Sequence, residues 1–67
     1  GMDEVRQMLL RQAELLVKYK GEYTAIREMR KHVAWYTAGF PHSSKLRARV
    51  NEINTMEDMV RLMNEWV

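Results

Sequence analysis

Two breaks, at Gly21 and at Gly39-Phe40-Pro41, divide this chain into blocks in which apolar residues recur at three- and four-residue spacing, a pattern that restricts it to packed helices. Alternation at period two never survives for more than a few residues, and there is no internal repeat or low-complexity tract. Sixty-seven residues suffice for one small domain, whose core only marginally offsets the entropy of folding. Cysteine is absent, so neither a disulfide nor a thiolate metal site staples the chain and helix packing must hold it. The expected architecture is all-α, a small four-helix bundle, with residues 1–67 forming a single helical domain.

The first helix is expected to begin near Asp3, which with Glu4 places acid at the positive end of the helix dipole, and to run to about Lys18–Lys20, where Gly21 stops it. Its buried stripe reads Val5, Met8, Leu9, Leu15, Leu16 and Tyr19, interrupted by Gln12. Leu10, Ala13 and Val17 fall off that face and form either a second contact surface or ordinary exposed apolar positions. The second helix, roughly Glu22 to Ala38, carries Ala25, Ile26, Met29, Val33 and Tyr36 on one arc, which His32 and Trp35 widen. The opposite arc collects Tyr23, Arg27, Arg30, Lys31, Ala34 and Ala38, placing cations around a floor of alanines that a phosphate backbone can approach closely.

Gly39 suits a helix C-terminal cap, and Pro41 suits the start of a new segment. Ser43 or Ser44 is expected to cap a short third helix through about Ile53, which buries Leu46, Val50 and Ile53 and turns Lys45, Arg47 and Arg49 outward. Thr55-Met56-Glu57-Asp58 approximates a capping box for a last helix that buries Met56, Met59, Val60, Met63 and Trp66 and runs to the end. The six methionines fall on stripes that the bundle itself needs, so they read as plastic core fillers in preference to a partner-binding groove.

The net charge of +2 conceals an uneven distribution. Residues 1–17 carry three acids and two bases, residues 18–49 two acids and eight bases, and residues 50–67 four acids and one base. A cationic middle between acidic ends is a footprint for a polyanion, the plain alternative being a solvated charged surface. Catalytic chemistry has few candidates. There is no cysteine nucleophile, no glycine-rich phosphate loop, and no His-x-x-x-His or carboxylate cluster with metal spacing.

His32 reads as a packed or hydrogen-bonded residue, and His42 has no visible partner. Glu57 and Asp58 sit in a first helical turn, where they serve the dipole. No catalytic, cofactor-binding or metal-binding residue is therefore assigned. What remains is binding, with Lys20, Arg27, Arg30, Lys31, Lys45, Arg47 and Arg49 as candidate contacts to the phosphates of a polyanion, contacts that confer affinity and orientation but read little sequence. Trp35 and Tyr36 are assigned to the core, the alternative being stacking on bases splayed from an RNA loop. No apolar run approaches eighteen residues and no leader pattern opens the chain, so neither a membrane span nor a signal peptide is expected. The expected compartment is the cytoplasm. Gly1-Met2 reads as a remnant of tag removal, and Gly1 is set aside from the fold.

The stretch from Arg27 to Gly39, Arg-Glu-Met-Arg-Lys-His-Val-Ala-Trp-Tyr-Thr-Ala-Gly, resembles a helix signature in the C-terminal domain of bacterial tRNA-dihydrouridine synthases, roughly Arg-x-Met-Arg-Lys-His-x-x-Trp-Tyr-x-x-Gly. Upstream, Tyr19-Lys20-Gly21-Glu22 is similar to the Tyr-Lys-Gly-Glu turn that precedes this helix in the family. Downstream, Gly39-Phe40-Pro41, Leu46-Arg47 and Val50-Asn51 follow the family's Gly-x-Pro, Leu-Arg, Ile-Asn order. His42-Ser43 departs from it, since relatives often carry Gly-Ala there.

The resemblance spans nearly the whole chain and implies a fragment lacking an N-terminal TIM barrel. In the family it points to, that barrel binds FMN and uses NADPH to reduce a uridine in the tRNA D-loop, an oxidoreductase activity, while the helical domain grips the tRNA and sets its orientation. The FMN pocket, the catalytic cysteine and the nicotinamide contacts belong to the barrel, so the expectation for this chain is tRNA binding with no cofactor of its own. The resemblance carries that role to Arg27, Arg30, Lys31 and Arg47, whereas Lys20, Lys45 and Arg49 rest on charge clustering alone. The implied partners are tRNA and the barrel of the same chain, and a fragment exposing the surface that the barrel covers is open to dimerisation. The alternative from another class is a helical protein–protein interaction module, supported by Leu10, Val17 and Trp35.

Overall fold

In the computed structural model, which describes residues 1–66, the chain folds as α1 (Met2–Lys20), α2 (Glu22–Tyr36), α3 (Ser43–Arg49), a 3₁₀ turn (Val50–Glu52) and α4 (Met56–Glu65). The all-α, four-helix reading holds. Helices α1 and α2 pack along each other more extensively than any other pair, α4 lies against both, and α3 and the 3₁₀ turn pack on α2. The radius of gyration is 10.7 Å, against about 11 Å for a compact chain of this length, so the helices close on one core.

Gly21 alone connects α1 to α2. Its N–H donates to the Val17 carbonyl at 2.9 Å, and its own carbonyl accepts from Ala25 N–H at 3.0 Å, so one residue ends a helix and begins the next. The backbone there has φ 83° and ψ 157°, a region open essentially to glycine alone.

The face that α1 buries keeps Val5, Met8, Leu9 and Leu16 of the expected stripe but not Leu15 and Tyr19. Leu9 and Ala13 are fully buried, with Met2, Val5, Met8, Leu10, Leu16 and Val17 packed around them, while Leu15 and Tyr19 point to solvent. Periodicity weights a leucine above an alanine, but close approach of α2 favours the face whose centre is small, and Ala13 supplies it. On α2 the buried series is Ala25, Ile26, Met29, Val33 and then Thr37. Tyr36, assigned to this stripe from sequence, is 49% exposed, and Trp35 is 63% exposed. Trp35 stands two residues after buried Val33, about 200° round the helix and so on its far side, and Tyr36 is the last helical residue, short of the expected Ala38. The buried Thr37 hydroxyl donates to the Val33 carbonyl at 2.6 Å, closing the last turn from inside.

The third helix begins at Ser43, but the preceding cap position falls on His42, which makes no side-chain capping bond. His42 has φ 65°, the left-handed conformation that glycine adopts most readily. The expected continuation to Ile53 is broken at Val50, where the chain tightens into the 3₁₀ turn that delivers Val50 and Ile53 to the core. Thr55 and Asp58 do form a capping box: Asp58 N–H donates to Thr55 Oγ1 at 3.0 Å, and Thr55 N–H to Asp58 Oδ2 at 3.3 Å. Glu22 adds a further cap by accepting from Met56 N–H at 2.8 Å.

Met59, Leu62, Met63 and Trp66 then form the buried series of α4, and Val60, expected inside, is exposed. The helix ends at Glu65, and the expected continuation to Val67 lies outside the described residues. Met29, Met59 and Met63 are fully buried and Met2, Met8 and Met56 pack at the margin, as plastic core fillers should. The exit of α4 is held by Arg6, whose guanidinium donates to the Met63 carbonyl at 2.8 Å and to the Trp66 carbonyl, placing a cation at the negative end of the dipole.

Candidate nucleic-acid interface

The cationic middle of the sequence resolves into groups with different environments. On the outer face of α2, successive i, i+4 pairs place a cation on a ring. The Arg27 guanidinium carbon lies 3.6 Å from the centre of the Tyr23 ring, and one of its nitrogens donates to the Tyr23 carbonyl at 3.1 Å. Lys31 Nζ lies 5.5 Å from the centre of the Trp35 ring. Tyr23 and Trp35 are among the most exposed large side chains of the domain, so each ring offers area to a ligand while its cation is held nearby. Among the described residues neither Arg27 nor Lys31 makes an ion pair with a carboxylate.

Arg30, expected on the same face, turns inward instead. Its Nε and one terminal nitrogen donate to the Ile53 carbonyl at 3.0 and 2.7 Å, and that nitrogen also donates to Asn54 Oδ1 at 2.8 Å. Arg30 thus fastens the segment between the 3₁₀ turn and α4. Lys20 is committed to Glu28 at 3.1 Å, and Arg49 to Glu65 and Glu52. Lys45 and Arg47 are exposed on α3 and make no ion pair among the described residues. Of the seven cations singled out from sequence, Arg27, Lys31, Lys45 and Arg47 are therefore free of carboxylates, Lys20 and Arg49 are partly neutralised, and Arg30 serves the fold.

Periodicity places Tyr23 correctly on the outer face but assigns Trp35 and Tyr36 to the core, and both are exposed. His32 is half-buried beneath the exposed aromatics, its ring edge-on to Trp35 at 5.8 Å and tilted against Tyr36 at 6.4 Å. Its Nδ1 is buried without a partner among the described residues. Tyr23 is legible in the sequence only as a member of the cationic arc; the signal for its role is the Tyr-x-x-x-Arg spacing, which sets a guanidinium over a ring one turn away. Among the described residues no group of His, Asp and Glu is placed to hold a metal ion, and no helix is long and apolar enough to cross a membrane.

Comparison with known proteins agrees with the sequence signature. Residues 2–66 match the family described as dihydrouridine synthase (Dus). The chain is 38% identical over 63 residues to a probable tRNA-dihydrouridine synthase of Mycobacterium leprae, covering 94% of this chain and 16% of that protein. It is 36% identical over 62 residues to tRNA-dihydrouridine synthase B of Xanthomonas campestris, covering 92% of this chain and 19% of that protein. With tRNA-dihydrouridine synthase B of Pseudomonas putida the identity is 38% over 52 residues, 78% of this chain and 15% of that protein. No solved structure matches the chain. The chain thus spans less than a fifth of the length of these relatives, and with nearly all of its residues matched it belongs to the dihydrouridine synthase family.

Proposed function

We propose that this helical domain is the tRNA-binding accessory unit of a tRNA-dihydrouridine synthase, orienting the tRNA while a catalytic barrel elsewhere in the parent protein reduces a D-loop uridine with FMN and NADPH. The reading rests on one observation: the outer face of α2 presents Arg27 beside Tyr23 and Lys31 beside Trp35, cations without carboxylate partners among the described residues, next to exposed rings. Unpaired cations release counterions from a phosphate backbone on binding, and exposed rings supply stacking area to unpaired bases. Family membership makes tRNA the natural polyanion, and a cytoplasmic location goes with that reading.

The residues present do not fit the cofactors themselves. The three glycines stand singly, so the backbone offers no glycine-rich turn to cradle a phosphate, and the free cations lie on an open helix face. FMN and NADPH are assigned to the parent's barrel, and no step of the reduction is routed through this domain. The protein-interaction alternative loses Leu10 and Val17, which pack on the core, and keeps only the exposed Trp35.

The test is a titration with unmodified tRNA at several salt concentrations. Affinity should fall steeply with salt, and replacing Arg27 and Lys31 together by Ala should flatten the logarithmic slope by roughly two, about one unit for each phosphate no longer neutralised. The melting temperature should stay unchanged. Affinity that is indifferent both to salt and to this pair would overturn the assignment.

A further inference from the structure

The cations of α3 belong to a second feature. His42, Lys45, Leu46 and Arg49 follow one another along one side of α3, and Leu62, Glu65 and Trp66 face them from α4 and its end, enclosing an open groove of about 300 Å³. Its floor is apolar, formed by the small exposed parts of Leu46, Leu62 and Trp66. Trp66 is fixed there by donation of its indole N–H to the Pro41 carbonyl at 2.9 Å and by the edge-on Phe40 ring at 5.9 Å. The rim carries exposed His42, Lys45 and Arg49 and one acid, Glu65, which Arg49 engages while also pairing with Glu52, so Lys45 is the cation left to a ligand. Lys45 makes no ion pair among the described residues.

An apolar floor beside a lysine that makes no ion pair among the described residues complements a ligand that joins a flat, weakly polar body to an anion. One nucleotide has that form: every base has a π-face that packs on apolar surface, and its phosphate seeks Lys or Arg. The volume stands at the lower end of small-molecule sites, roughly 300–1,000 Å³, so the groove takes a single unit and not a run of stacked bases. We propose that the groove between α3 and α4 holds one unpaired nucleotide of the bound RNA, its base over Leu46 and Leu62 and its phosphate at Lys45. The proposal rests on the tRNA-binding reading for the class of its ligand, but it uses none of the α2 residues that carry that reading.

The groove is tested with the ¹⁵N-labelled chain titrated with uridine 5′-monophosphate and, in separate arms, with uridine and with inorganic phosphate. The nucleotide should give saturable shifts at the amides of residues 42–49 and 62–66 and at the Trp66 indole N–H, with weaker responses to either half alone. Lys45→Glu should weaken nucleotide binding by about tenfold, the scale of one charge-assisted hydrogen bond. Glu65→Gln, which removes the rim carboxylate, should tighten it several-fold. The paired Arg27 and Lys31 substitutions should leave this titration unchanged.

Absence of groove shifts with the nucleotide, or shifts that phosphate alone reproduces and Lys45→Glu leaves intact, would overturn the proposal even if tRNA binding through α2 persisted. So would groove shifts caused by an acidic peptide where the nucleotide causes none. Conversely, nucleotide shifts that follow Lys45 and Glu65 as expected, in a chain that binds no tRNA, would overturn the tRNA reading and leave the groove a site for a free nucleotide.

Discussion

Replacing Arg30 by alanine removes the hydrogen bonds to the Ile53 carbonyl and Asn54 Oδ1 that fasten the segment entering α4. A hydrogen bond from a charged group contributes about 1.5–3 kcal/mol net; two of these share one acceptor and the site is only half-buried, which argues for a total near 2 kcal/mol. A domain of this length has a stability of roughly 3–10 kcal/mol, so the loss is a substantial fraction. In a protein of this size each kilocalorie shifts the melting temperature by about 4–8 °C, and Arg30→Ala should therefore lower it by roughly 8–16 °C. Arg30→Lys should recover only part of the loss, because an ammonium cannot reproduce the fork that spans Nε and a terminal nitrogen.

Thermal and urea unfolding followed by circular dichroism measure the effect. A tRNA titration well below the melting temperature separates it from binding. If Arg30 is structural, the salt slope stays near that of the unaltered chain while stability falls. A melting temperature within about 2 °C of the parent, together with a salt slope reduced by about one unit, would refute the reasoning and return Arg30 to the RNA face.

Three further outcomes follow from the same geometry. Trp35→Ala should cost under about 1 kcal/mol because its ring is mostly exposed, whereas Met29→Ala should cost roughly 2–5 kcal/mol; equal losses in urea unfolding would contradict the burial of these residues. His42→Gly should stabilise by roughly 0.5 kcal/mol, since relief of the left-handed strain exceeds the added freedom of the unfolded chain, and a lowered urea midpoint would argue against strain at that turn. The Asp58 carboxyl is held below its ordinary value of 3.8, first by the Asn54 N–H and also by Thr55 and Arg61. A depressed folded pKa contributes stability above the unfolded value that is lost as pH falls through the folded one. Unfolding free energy should accordingly decline below about pH 4, and Asp58→Asn should flatten that decline; an unchanged acid slope would remove Asp58 from the cap.

Sequence by itself determined the number and order of helices, because stops and caps are local chemistry. Gly21 is required by its dihedral angles, and Thr55 and Asp58 cap α4 through atoms three residues apart. Family membership was equally legible, since the Arg27–Gly39 signature is contiguous. Which face each helix buries was not. Ala13 displaced Leu15 and Tyr19 from the core, and Thr37 displaced Tyr36, because burial follows how closely a neighbouring helix approaches and where its own helix ends, and hydrophobicity alone encodes neither. The fate of each cation was also tertiary. Arg27 and Arg30 stand less than a turn apart on α2, yet one reaches Tyr23 within its own helix and the other an acceptor 23 residues downstream, a partner that exists only after the chain has folded back on itself.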